Sequence, residues 1–247
     1  MPAETSRKYL TANDLKWIAI FAMVIDHVAW KLTLSPSVYI LMHAIGRLTM
    51  PIMCFLMAEG FKHTRSRKKY ALRLFIFAVI AQIPFNYYIS GNLFGFEIGF
   101  ESLNVLFCLF FGFCALWVIN SKANIFVKIT VVSLCLIFSA ICDWLIFGVL
   151  WILAFGLSRA SFRKKIILYC LNGLGAIAFM FIYSGYDLRI MMMLGVFLPL
   201  PLFYLYNGKK FGESTPVWLT NKWLFYIFYP THLAIIGYLY YGIRLLR

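Results

Sequence analysis

The sequence predicts an all-α fold: a polytopic integral-membrane helical bundle of about nine transmembrane helices (eight to ten), with its N-terminus in the cytoplasm. Three observations carry this. Of 247 residues, 63% are hydrophobic and 13% charged, against about 45–50% apolar and about 25% charged in a soluble domain. Apolar runs long enough to cross a bilayer recur along the whole chain. Lysines and arginines concentrate in alternate loops. One compositional regime runs from end to end, which predicts a single transmembrane domain over residues 1–247.

A spanning helix takes about 20 mostly apolar residues. Runs of that kind lie at about 15–33, 37–61, 71–90, 103–120, 124–142, 144–158, 165–184, 189–206 and 222–243. The fifth and sixth part only around Asp143 and Trp144, and the sixth is short enough to be tilted or partly crossing. "FGFEIGFES", Phe94 to Ser102, reads as a short interfacial segment. "NGKKFGESTP", Asn207 to Pro216, reads as a turn-rich loop. The first run is followed by no small-residue cleavage site, so a cleavable signal peptide is not expected.

The net charge of +14 raises nucleic acid as a partner, but its distribution argues for cytoplasmic loops instead. With the N-terminus inside and nine alternating spans, 18 of the 23 Lys and Arg fall inside and 4 outside. Arg47 lies within a span. Positive-inside asymmetry of that size sets the orientation. The six cysteines sit in or beside apolar runs without a C-x-x-C pair, and are read as small packing residues.

Ionisable groups in hydrocarbon are costly and point to a protein interior, a cavity or a reaction site. "LKWIAIFAMVIDHVAW", Leu15 to Trp30, holds Lys16, Asp26 and His27. Lys16 and His27 are eleven residues apart. That is about 16 Å along a helix and about 20° beyond three full turns, so the two share one face. Asp26 lies about 100° away, where it caps, pairs with another span or lines a cavity. The second run carries His43, Arg47, Pro51, Glu59 and His63. Arg47 stays charged and needs a carboxylate or an anion. Pro51 frees a backbone carbonyl and predicts a kink. His43 is read as a structural polar residue. "EGFKHTRSRKKYALRLF" sets Arg65, Arg67 and Arg73 beside His63. This basic run is either plain positive-inside charge or an anion site for a phosphorylated ligand. Asn86, Asn104 and Asp143 sit towards the outer ends of their spans, and His232 lies at about the depth of His27.

"LTANDLKWIAIFAMVIDHV", "IGRLTMPIMCFLMAEGFKHTRSRKKYALRLFIFAVIAQIPFN", "NVLF", "YNGKK" and "FYIFYPTHLAII" resemble the TraX family, in order from about Leu10 to Ile236. That family is named for a conjugative-plasmid protein that acetylates the N-terminus of F-type pilin. The Lys16-x10-His27 spacing is also similar to the (R/K)-x10-H motif of the wider transmembrane acyltransferase superfamily, which includes the acyltransferase-three type. The resemblance implies a membrane-bound acetyltransferase of the bacterial cytoplasmic membrane, with acetyl-CoA as co-substrate. It implies that His27 is the catalytic residue and that Lys16 contacts CoA.

On that expectation the CoA phosphates bind the basic inner mouth at Lys16, His63, Arg65, Arg67 and Arg73, and the thioester reaches His27. The imidazole takes the proton of an attacking amine or hydroxyl. Arg47, Asn86, Asn104 or His232 would stabilise the oxyanion, with Asp26, Glu59 and Asp143 lining the polar cavity. The acceptor is a pilin or other peptide N-terminus, a sugar or a lipid. No metal, nucleic acid or acyl-enzyme is expected. A small-solute transporter or channel, and a non-catalytic pilus-assembly membrane protein, are the alternatives. The lack of an internal repeat weighs against the transporter.

Overall fold

A computed structural model describes residues 9–94, 102–158, 161–185, 189–211 and 223–245. Every regular element among the described residues is helical. In chain order these are α1 (Ala12–Ala29), α2 (Pro36–Gly46), α3 (Thr49–His63), α4 (Arg67–Ser90), α5 (Val105–Ile119), α6 (Ile125–Ser139), α7 (Leu145–Leu157), α8 (Phe162–Ser184), α9 (Arg189–Met193), a 3-10 turn (Leu194–Phe197), α10 (Leu200–Leu205) and α11 (Leu224–Leu245). Each predicted run contains helix, with ends shifted by a few residues. Most of "FGFEIGFES" and the end of "NGKKFGESTP" lie outside the described residues.

Two of the runs are not single α-helices. The second breaks at Arg47–Leu48, upstream of the predicted kink. Pro51 has no N–H for the carbonyl of Arg47, so the α-ladder cannot continue there. The Arg47 N–H still bonds the His43 carbonyl at 2.9 Å and closes α2. The eighth run divides into α9, the 3-10 turn and α10. Pro199 and Pro201 remove two consecutive-turn donors, and Leu198 bonds back to Gly195 at 3.1 Å instead. Gly195 is needed for another reason: a Cβ there would overlap the backbone carbonyl of Ala44.

Among the described residues, three helices are long and apolar enough to cross a membrane: Pro36–His63 taken through its break, Arg67–Ser90 and Phe162–Tyr183. Val105–Ile119, Ile125–Ser139, Leu145–Leu157 and Ile190–Leu205 are shorter apolar helices. The outward face of α4 is Leu72, Phe75, Ile76, Val79, Ile80 and Ile83, all exposed. Its inward face holds Ala71, Leu74, Ala78, Ala81 and Phe85. An apolar stripe turned outward suits lipid, not water. The chain is a membrane protein.

The chain forms two compact units. The first comprises Met1–Met53 and Phe179–Leu224, the second Cys54–Ala178 and Phe225–Arg247. In the first, α1 packs on α2, and α2 packs on α9 and the 3-10 turn. Thr11 caps α1 through a reciprocal box with Asp14: Asp14 N–H donates to Thr11 Oγ1 at 3.3 Å, and Thr11 N–H to Asp14 Oδ2 at 2.8 Å. The next two amides of α1 donate to the segment after α10, Ala12 to the Lys209 carbonyl at 2.9 Å and Asn13 to that of Lys210 at 3.2 Å. A parallel bridge between Leu10 and Tyr206 continues this strap.

In the second unit α5 is central, packed on α4, α6 and α7. Asn104 caps α5 by accepting from Leu106 N–H at 3.0 Å, while its amide donates to the Ala78 carbonyl and to Gln82 Oε1, each at 2.8 Å. A parallel bridge, Leu103 to Cys142, ties the α4–α5 and α6–α7 connections together at one end. Glu59, near the end of α3, meets Lys165 at the start of α8 across 3.5 Å. Within this unit the α3–α4 and α7–α8 connections therefore share an end. The aromatic core includes Phe61, Tyr70 and Phe113, with Phe113 centred 5.4 Å from Phe61 and 4.7 Å from Tyr70. The six cysteines form no disulfide.

Candidate functional site

The break between α2 and α3 gathers the polar groups of the first unit. Asp26, on the last turn of α1, faces α2 rather than the Lys16–His27 face. Its carboxylate accepts a hydrogen bond from His43 Nδ1 at 2.8 Å. An ionised carboxylate only accepts, so the Nδ1 of His43 carries a hydrogen, and in the neutral ring Nε2 is the lone-pair atom. His43 is fully buried, and Nε2 has no hydrogen-bond partner among the described residues. Gly46, one turn on, makes the approach possible, because a Cβ there would overlap the Asp26 side chain. Arg47, four residues from His43 and on the same face, lies within electrostatic range of Asp26, as does His27. Its Nη2 is 3.9 Å from the Met192 sulfur. Two rings enclose the imidazole: Trp30, at 4.6 Å between centroids, and Tyr39, at 4.2 Å. Thr49 Oγ1 donates to the Ala19 carbonyl at 3.1 Å and fixes the start of α3 on α1.

At the other end of α1, Lys16 is half-buried and close enough to Lys210 for the two ammonium groups to repel. The strap sets this up. Asn13 bonds Lys210, and Lys16 follows three residues later on the same side of the helix, its side chain leaning back towards the N-terminus.

The second unit holds the remaining candidates. Glu59 accepts from Lys62 at 2.6 Å as well as facing Lys165. His63 and Arg65 are exposed just beyond it. The Arg67 guanidinium lies over the Phe61 ring at 4.4 Å. That of Arg73 lies between Tyr70 at 5.1 Å and Tyr226 at 5.3 Å. At the opposite ends of the helices, Asn86 accepts from Gln82 Nε2 at 2.7 Å, and Gln82 also donates to the Ser102 carbonyl at 2.8 Å. The amide of Asn104 is taken up by its cap and by α4. Asp143 stands beside the Leu103 bridge, its N–H donating to the Leu103 carbonyl at 2.9 Å. His232 Nδ1 donates to the Phe228 carbonyl at 2.9 Å, within α11, and its ring stacks on that of Phe228.

The sequence profile of the TraX protein family matches residues 11–240. The chain belongs to the TraX family. A curated relative, "Probable fimbrial assembly protein FimC, serogroup H1" of Dichelobacter nodosus, is 34% identical over 237 residues, covering 92% of this chain and 94% of that protein. No solved structure matches the chain.

Within this TraX-family chain, the first unit brings together His27, Asp26 and Arg47 as candidates and adds His43. His63, Arg65, Arg67 and Arg73 gather with Glu59 at one end of the second unit. Asn86 and Asn104 share one amide network, through Gln82, at the other end of that unit. The sequence left His43 and Gly46 without a part in the site. Seventeen residues separate Asp26 from His43, and no local spacing rule links positions on two helices. One signal was present: His43, Gly46 and Arg47 sit at i, i+3 and i+4, one face of one helix.

Proposed function

We propose that this TraX-family chain is an acetyltransferase of the bacterial cytoplasmic membrane. It moves an acetyl group from cytoplasmic acetyl-CoA to an amine or hydroxyl at the membrane or its outer face, with a pilin or peptide N-terminus as the favoured acceptor. The observation that carries the reading is α1: one unbroken helix bearing Lys16 and His27 on one face, with His27 in the polar cluster of the first unit. Family membership and the relative's name, which speaks of fimbrial assembly, support the pilus setting.

On this reading acetyl-CoA binds from the cytoplasmic side. Lys16 in the first unit supplies positive charge to its phosphates; in the second unit His63, Arg65, Arg67 and Arg73 form a basic group of their own, and arginine forks match phosphate oxygens. The pantetheine arm reaches along the Lys16–His27 face, about 16 Å at about 1.5 Å per residue. His27 takes the proton of the acceptor as its nitrogen or oxygen attacks the thioester carbon. The proton then passes to the CoA sulfur as the carbon–sulfur bond breaks. Arg47 is the donor closest in sequence and unit to steady the oxyanion.

The decisive experiment is acetyl transfer from labelled acetyl-CoA to a peptide amine in membranes carrying the full chain. His27→Ala is expected to lower the rate by about 10²–10⁴-fold. Full activity in a well-folded His27→Ala protein would remove His27 from the mechanism. The name of the D. nodosus relative favours a second reading, a non-catalytic assembly protein. Acetyl-CoA or desulfo-CoA would then leave the melting temperature of the purified protein unchanged, whereas specific binding raises it.

A further inference from the structure

An acceptor that arrives as an ammonium ion must lose two protons before it becomes an amide. One leaves to expose the nitrogen lone pair, and the other leaves as the carbon–nitrogen bond forms. A single imidazole handles only one of them at a time.

The first unit contains a second imidazole prepared for this work. The bond from Nδ1 to Asp26, at 2.8 Å, leaves Nε2 as the basic atom of the neutral ring. That atom is buried and has no hydrogen-bond partner among the described residues. Leaving a buried acceptor unsatisfied is costly, and a helix brace needs only the Nδ1 side of the ring. The charged and titratable groups in electrostatic range of the pair include His27 and Arg47, and Lys31 lies in range of His27. Trp30 and Tyr39 cover the imidazole, and aromatic faces attract an ammonium ion. Trp30 is 47% exposed, so entry displaces a ring rather than a helix.

We propose that His43, held by Asp26, is a second base of the transfer site and takes the first proton of an ammonium acceptor. The role rests on the acetyltransferase reading above. The ammonium N–H proton moves to His43 Nε2, leaving a free amine and an imidazolium paired with the Asp26 carboxylate. The amine lone pair attacks the thioester carbon, the carbon–nitrogen bond forms and the carbon–sulfur bond breaks. The second nitrogen proton passes through His27 to the CoA sulfur. The proton on His43 returns to solvent. Amide, free CoA and one released proton balance the reaction.

The test uses the full chain in membranes, with a peptide bearing a free N-terminus and acetyl-CoA. His43→Asn keeps a donor for Asp26 but has no base. Its transfer rate is expected to fall about 10²-fold or more. The remaining rate should climb with pH, as solution deprotonates the ammonium, where the wild type levels off. The melting-temperature rise with desulfo-CoA should be unchanged. A folded His43→Asn protein with the wild-type rate and pH profile overturns the role of His43 and leaves the acetyltransferase reading standing. A wild-type chain that transfers nothing overturns both. Should His43→Asn fail to fold, Asp26→Asn decides in the same assay. It can still accept from Nδ1 but no longer steadies the imidazolium, and unchanged transfer in it overturns the proposal. Nitrogen-15 spectra of the histidine-labelled wild type give an independent check, since a hydrogen on Nε2 of His43 in the resting protein would also overturn it.

Discussion

At Gly46 the usual consequence of a glycine-to-alanine change in a helix is reversed. Such a change ordinarily stabilises by about 0.4–1 kcal/mol, because it restrains the unfolded chain. Here the added methyl would occupy the space of the Asp26 side chain. Gly46→Ala is therefore expected to destabilise by about 1–3 kcal/mol, the cost of overpacking. A melting curve of the purified protein in detergent checks the sign. The same change should part Asp26 from His43 and so lower the proposed acetyl transfer. Asp26 shows how a residue's meaning depends on its partner. The helical wheel separates it from the Lys16–His27 face, and that separation holds. What it faces instead is set by α2, which the local sequence does not reveal.

The positions of the elements were legible because spanning helices are long, apolar and separated by polar turns. Their breaks were legible only in part. Pro51 signalled a disturbance, but the missing hydrogen bond belongs to the carbonyl four residues earlier. The chain therefore turns at Arg47–Leu48, and Arg47 closes α2 instead of sitting within a continuous helix. In the eighth run, Pro199, Pro201 and Gly195 signal interruption once the close approach to Ala44 is known. The Asn104 network was invisible for the same reason as the Asp26 pair: its partners, Ala78 and Gln82, lie on another helix. Pro51→Ala tests the meaning of the first break. It restores a donor to the Arg47 carbonyl and removes a residue worth up to about 3 kcal/mol against helix. The protein should melt at an unchanged or higher temperature. The proposed acetyl transfer should fall tenfold or more, because Arg47 and Leu48 would be drawn into a continuous helix and Arg47 would turn away from Asp26.

Across the whole molecule, charge and connectivity make separate demands that agree. The sequence places the basic loops on alternate connections. Within the second unit, Glu59–Lys165 joins two of those basic connections at one end, and the Leu103–Cys142 bridge joins two poor in Lys and Arg at the other. A topology reporter checks the direction. A green fluorescent protein fused after Lys122 should fluoresce, and one fused after Gly91 should not. Alkaline phosphatase at the same points should give the opposite pattern, and exchanged results would invert the orientation. The strap that holds Leu10, Ala12 and Asn13 against residues 205–210 has a consequence in time. Ribosomes deliver a chain from its N-terminus, and compact units assemble as their parts emerge. The first unit closes its strap only when residues nearly two hundred positions later have been made. Its first two helices must wait in the bilayer while the greater part of the other unit is translated. The first-born helix, which carries Lys16 and His27, is thus among the last to reach its finished setting, and a chain cut short before Lys209 would lack the strap that completes it.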